Sequence, residues 1–290
     1  MSDNAKLSER ALAYQRNEIT EHEIYKRLAG VVKSPENADV LKRIAADELR
    51  HYGEWKRHTG QDVGPVWRRV WFYYWISRIL GLTFGIKLME RGEEGAQKEY
   101  AKWREIAANA DAIIRDENDH EKALIAMLDE ERLRYVGSIV LGLNDALVEL
   151  TGGLAGLTLA LGATRLIALS GLVVGIAAAL SMAASGYLSA KAEKSGKAPL
   201  RAAIYTGVAY VFTVIALILP YLILTNPYVC LACTLAVAVL IIAAFNYYIS
   251  VAMEESFRKQ FTEMVCVSLG VAALSFGAGY VLRAALGVDA

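Results

Sequence analysis

The sequence predicts an all-α protein in two halves, a four-helix bundle over residues 1–134 followed by five membrane-crossing helices over 135–290. Three observations predict it. Charge is divided unevenly: residues 1–134 hold 23 of the 31 Lys/Arg, 24 of the 31 Asp/Glu and all four His. Apolar positions in that half recur at helical spacing, as in Leu12, Ile19, Ile24, Leu28 and in Val40, Leu41, Ile44, Leu49. The second half contains five apolar runs of the ~20 residues that crossing a bilayer requires. A net charge of zero, with acids and bases nearly balanced in the first half, gives no nucleic-acid footprint. The N-terminus lacks the apolar core of a signal peptide.

In the first half, Ser34-Pro35-Glu36-Asn37 separates the first two helices, because Ser and Asn cap a helix start and Pro suits its first turn. Thr59 to Pro65 ends the second helix. A long third helix starts near Trp67, and a softer break around Ala107 to Ala110 precedes the fourth. Within the third, Trp67-Arg68-Arg69-Val70-Trp71-Phe72-Tyr73-Tyr74-Trp75-Ile76-Ser77-Arg78 mixes aromatics with arginines. That composition suits either packed core or a helix on a cytoplasmic membrane surface.

Two Glu-x-x-His motifs carry the chemistry of this half, Glu48/His51 and Glu117/His120. Residues three apart share a helix face, and one Glu from each remaining helix would complete a carboxylate-rich di-metal site inside a bundle. Glu18 is the candidate on the first helix; Glu90, Glu93 and Glu94 compete on the third. A seven-residue step links Glu18 to Tyr25 and Glu93 to Tyr100, which favours Glu93. His22 and His58 fit no motif and read as surface residues, with Glu21 or His22 as candidate extensions of the site.

The second half reads as spans over 136–162, 166–190, 202–225, 227–252 and 264–283. Arg132 and Arg134, then Lys191, Lys194, Lys197 and Arg201, then Arg258 and Lys259 all fall on one side of a five-span chain. Only Arg165 and Arg283 fall on the other, so the first half is expected in the cytoplasm and the C-terminus outside. Cys230, Cys233 and Cys266 lie in apolar segments and read as small packing residues.

The first span contains Asp145 and Glu149, four apart on one helical face. A carboxylate near the bilayer centre costs roughly 3 kcal/mol, so a pair points to a cation path. The structural alternative is a network with Asn144 or Thr151. Glycines 142, 152, 153 and 156 let another helix approach closely, as a paired interface would need. The second span carries Met182, whose thioether suits a transition metal.

The motifs G-L-N-D-A-L-V-E-L at 142–150 and S-M-A-A-S-G-Y-L-S-A-K at 181–191 resemble the two signature helices of the vacuolar iron transporter family. The resemblance implies a dimeric five-span exchanger of ferrous iron or manganese for protons, with Asp145 and Met182 on the path. Where some relatives have a Glu in span two, this chain has Val174, Gly175 and Gly186, which leaves Glu149 as the second carboxylate. The acidic metal-gathering insert of plant members is replaced by a short basic connection.

Asp47-Glu48-Leu49-Arg50-His51 and Asp116-Glu117-Asn118-Asp119-His120 resemble the ligand helices of the ferritin-like family, nearest to rubrerythrins and erythrins. That resemblance implies a ferritin-like bundle with two iron ions held by Glu18, Glu48, His51, Glu90 or Glu93, Glu117 and His120. No rubredoxin-type cysteine module accompanies it. The combined expectation is a multi-pass protein of the cell membrane, a homodimer, moving Fe2+ or Mn2+ out of the cytoplasm against protons. A membrane-anchored di-iron oxidase or peroxide scavenger is the alternative.

Overall fold

The computed structural model describes residues 3–97, 113, 115–116, 119–120, 122–124, 135–193 and 198–286. The regular structure among the described residues is all helical, with no strand. The chain divides into two compact units, Met1–Glu130 and Glu131–Ala290.

Unit one opens with α1 (Asp3–Ala29) and α2 (Pro35–Thr59), packed side by side. Ser34 caps α2, its Oγ accepting from the Asn37 amide at 3.2 Å, and Pro35 occupies the first turn. Gly60 ends the helix at φ 66°, where only glycine is unstrained, and its amide donates to the Lys56 carbonyl. The following loop is tied down. Asp62 accepts from Tyr52 Oη and, at 2.7 Å, from Lys56 Nζ; the Gln61 carbonyl accepts from Gln15 Nε2 at 2.9 Å.

The expected long third helix is two helices, α3 (Trp67–Leu80) and α4 (Leu82–Gln97). Gly81, at φ 112°, adopts a conformation that residues with a Cβ rarely reach, and this separates them. At Gly85 the chain passes so close to Ser77 that an added Cβ would collide with its side chain. The core of the unit is Ile24, Leu28, Leu41, Ile44, Val70, Ile86 and Met89. Leu49 is exposed, contrary to its place in the apolar pattern. The buried stripe of α2 runs Leu41, Ile44, Ala45, Glu48, His51, Tyr52, Trp55, so Glu48 and His51 occupy the inward positions. Residues 107–110, the expected break before the fourth helix, lie outside the described residues.

Unit two comprises α5 (Val136–Leu161), α6 (Thr164–Ala192), α7 (Pro199–Ile223), α8 (Pro227–Ala252) and α9 (Phe257–Leu286). All five are long and apolar enough to cross a membrane. The last starts earlier than the expected residue 264. Phe257 stacks on Phe261 at 5.3 Å and packs edge-on against Tyr247, which carries the helix through its polar first turns. Gly162 at φ 64° ends α5, and Asn226 caps α8 by accepting from the Tyr228 and Val229 amides.

α5 is the central helix, packed against the other four. Leu147, Leu150, Leu154, Ile167, Leu217 and Ile242 fill the interior, while aliphatics such as Leu169, Val173, Leu180, Leu240 and Leu274 face outward. That exterior suits lipid. Interior hydroxyls satisfy themselves on backbone carbonyls: Thr151 on Leu147 at 2.5 Å, Thr158 on Leu154 at 2.6 Å, and Thr234 across to Leu217 at 2.8 Å.

Three of the four glycines read as an interface for another helix are used inside the chain. Gly142 lies against the Thr206 backbone of α7, Gly152 against Val271 and Ser275 of α9, and Gly156 against Ser275 and Gly279. Gly153 faces open space. All three cysteines are free thiols, and buried Cys230 donates to the Pro220 carbonyl at 3.4 Å.

Candidate metal sites

Unit one brings Glu18, Glu48 and His51 together, with one ligand-capable atom from each lying within 4.8 Å of the others. α1 supplies Glu18, and one turn of α2 supplies Glu48 and His51. All three are buried, and His120 is buried beside them. His51 Nδ1 lies 3.6 Å from Glu18 Oε2 and 3.6 Å from Glu48 Oε2. His120 Nδ1 lies 3.2 Å from Glu48 Oε1. One carboxylate therefore stands between two imidazoles.

The far side of each imidazole meets an aspartate from the opposite motif. His51 Nε2 lies 3.2 Å from Asp116 Oδ2, and His120 Nε2 lies 3.1 Å from Asp47 Oδ2. An ionised carboxylate only accepts, so each Nε2 carries a hydrogen, and each Nδ1 faces the Glu48 carboxylate. Asp47 and Asp116 were missed as functional residues. Their signal in the sequence is an Asp immediately before each Glu-x-x-His. Trp55 was missed too; its indole N–H donates to Glu18 Oε1 at 3.1 Å.

Electrostatics here are those of buried charges. Burial pushes the Glu18 carboxyl up to about 8, against the opposing pull of His51. Burial also works against the Glu48 charge, but His120, His51 and Glu18 beside it outweigh burial and bring the group down to about 2. For His51 burial opposes protonation, and Glu18 and Glu48 override it, raising the ring to about 11. His120 is raised as well, burial again being outweighed by Glu48 and Asp47. Among the described residues, Glu48 Oε2 and His120 Nδ1 are buried with no hydrogen-bond partner. Unpartnered oxygen and nitrogen atoms converging in a buried cluster fit a transition metal of oxygen–imidazole preference.

Not every expected ligand can be placed. Glu90, Glu93 and Glu94 fall on α4, but their side chains lie outside the described residues, and so does Glu117. His22 is not a surface residue: it is half-buried and its Nδ1 bonds the Ala45 carbonyl at 2.6 Å, joining α1 to α2. His58 is exposed beside Trp55.

In unit two, Asp145 and Glu149 lie on α5, one turn apart. Asp145 is half-buried, and Glu149 Oε2 accepts from Tyr210 Oη of α7 at 2.5 Å. Tyr210 is fully buried and was missed by the sequence reasoning, which looked to Asn144 or Thr151 for a partner. Thr151 instead bonds its own helix. The Asn144 amide oxygen is buried without a partner among the described residues and borders a cavity of about 310 Å³. α8 and α9 complete its wall with Asn246, Gln260, Glu263 and Met264. Met182 of α6 packs half-buried at the edge of the apolar core.

A multi-pass membrane protein with acidic side chains inside its central span is the class these features define. Residues 136–197, which hold both span motifs, match the model of the VIT family. The match and the five apolar helices support a membrane domain of the vacuolar iron transporter type, for which membrane transport of metal ions is the function the family suggests. No curated protein matches the chain.

Proposed function

We propose that the chain carries ferrous iron, with manganese as the alternative cargo, out of the cytoplasm in exchange for protons. Asp145 and Glu149 on the central apolar helix, inside the VIT-family match, carry this reading. Two carboxylates on one face repel unless a cation or protons sit between them, so binding of a divalent ion and protonation are mutually exclusive states. Met182 offers a soft ligand that magnesium and calcium do not use. The cavity beside Asn144, mainly apolar but lined also by Asn246, Gln260 and Glu263, offers a few polar groups next to the same span.

Unit one, read as a ferritin-like bundle on the cytoplasmic side, gathers the metal in place of an acidic insert. Glu18, Glu48, His51 and His120 would hold it, with Glu117 and a Glu of α4 completing a pair of sites. A bound pair would be the place where Fe(II) is oxidised to Fe(III), each ion giving one electron to dioxygen. The chain's own part is to exclude water, orient both rings through Asp47 and Asp116, and give up protons as metal arrives. The plasma membrane and a homodimer complete the proposal.

Proteoliposomes test it: Fe(II) or Mn(II) uptake should exceed that of protein-free vesicles and rise with an opposing proton gradient. Absence of flux with both ions would remove the transporter reading. The buried Glu–His cluster favours a second reading, a membrane-anchored oxidase, which would consume Fe(II) with oxygen in detergent while moving no metal across sealed vesicles.

A further inference from the structure

α3 presents an outward face that the described residues of its own unit do not cover. Val70 and Ser77 point inward, while Trp67, Trp71, Phe72, Trp75 and Ile79 are each about half exposed, from 47% at Trp71 to 63% at Ile79. At 100° per residue these five fall within an arc of about 140° on one side of the helix. The other residues in that arc are Arg68 and Arg78, both exposed. Arg27 of α1 lies over the Trp67 and Trp71 rings at 5.2 and 5.4 Å, adding a third guanidinium at the edge.

We propose that this face of α3 docks on an anionic lipid surface, with the indoles at the level of the headgroups and the arginines on lipid phosphates. Indole is the side chain that prefers the membrane–water boundary, having an apolar body and one N–H donor. Arginine pairs its fork of donors with phosphate oxygens. Acidic side chains are absent from α3, so nothing on the helix repels an anionic surface. The apolar spans that begin at Val136 tether α3 to a bilayer, which raises its effective concentration at lipid far above that of a free protein. The proposal holds whether or not the chain carries metal.

The tryptophans supply the test. All five, Trp55, Trp67, Trp71, Trp75 and Trp103, precede the membrane unit, so acyl-chain quenching of tryptophan emission cannot arise from the spans. The full chain is reconstituted in vesicles of phosphatidylcholine and phosphatidylglycerol, with or without bromine on the upper acyl carbons. Bromine should quench roughly half of the emission, since three of five indoles lie on the docking face. The pair Arg68→Glu and Arg78→Glu, and separately omission of phosphatidylglycerol, should each lower the quenching at least twofold. Helix content should stay unchanged, because both arginines are exposed. Equal emission in brominated and plain vesicles would overturn the proposal. So would quenching that ignores both the arginine changes and lipid charge. Blue-shifted emission without quenching would point instead to a second protein copy on this face, and would overturn it too.

Discussion

His51 Nε2 lies 3.2 Å from Oδ2 of Asp116, 65 residues further along the chain. The reverse contact, His120 to Asp47 at 3.1 Å, repeats it across the same pocket. Each Asp-Glu-x-x-His motif thus orients the imidazole of the other, and the two histidines turn Nδ1 toward the Glu48 carboxylate.

This cross-bracing predicts that Asp47→Asn or Asp116→Asn weakens Mn(II) binding to the purified chain by about 10–100-fold, without removing a ligand atom. Titration calorimetry checks it. Affinity equal to the unmodified chain would show the aspartates to be only part of the charged surface.

Metal binding should release protons. At neutral pH, Glu18 at about 8 and His51 at about 11 are both protonated without metal. Each proton displaced makes affinity rise about tenfold per pH unit over that range. Calorimetry in buffers of differing ionisation enthalpy counts the protons, and more than one per metal is expected.

Metal-free stability should run the other way with pH. His51 is raised, so its contribution is complete below its ordinary 6.5 and is lost as pH rises toward 11. Glu18 is also raised, so native protonation stabilises the unit progressively less between 4.5 and 8. Glu48 is lowered; its contribution is complete above 4.5 and is lost as pH falls toward 2. Chelator-treated protein should therefore melt at lower temperature at pH 8 than at pH 5, and added Mn(II) should reverse the order. Tryptophan emission follows this melting specifically, because all five tryptophans precede the spans.

Tyr210→Phe removes the hydroxyl that donates to Glu149 at 2.5 Å, from α7 to a carboxylate on the central membrane helix. Glu149 is exposed on the surface of the unit, so the loss in stability should be no more than about 1 kcal/mol. The pH dependence of metal flux should shift while unit one keeps its metal. An unchanged pH profile would make the contact merely structural.

The helix positions and the clustering of chemistry were legible in residue patterns. Ser34-Pro35 and Gly60 carry explicit capping signals, and the apolar runs between polar turns mark the spans. Gly81 was not read as a break because a lone glycine inside a helical pattern is usually tolerated, and only its backbone angle, φ 112°, shows the bend. Leu49 was misassigned because the buried stripe of α2 continues through Glu48 and His51, polar residues that an apolar pattern skips. The Glu-x-x-His spacing pointed to Glu48, His51 and His120, which the fold brings together, but nothing local to His51 names Asp116, since that contact exists only after folding. The same holds for Tyr210 and Glu149, 61 residues apart. Glycine spacing signalled close approach without saying to which helix.

Gly142 and Gly153 separate these roles. Gly142→Ala drives a methyl into the Thr206 backbone and should destabilise the membrane unit by about 1–3 kcal/mol, whereas Gly153→Ala meets nothing within 4 Å and should be close to neutral. Thermal unfolding in detergent compares the two.

The most direct measurement is Fe(II) and Mn(II) flux into proteoliposomes bearing Asp145→Asn, with metal bound by unit one assayed on the same preparation. An acid inside the central span that exists to meet a cation predicts flux reduced to the level of empty vesicles, with bound metal unchanged. Flux at the unmodified rate would mean that metal crosses, if it crosses, without that carboxylate.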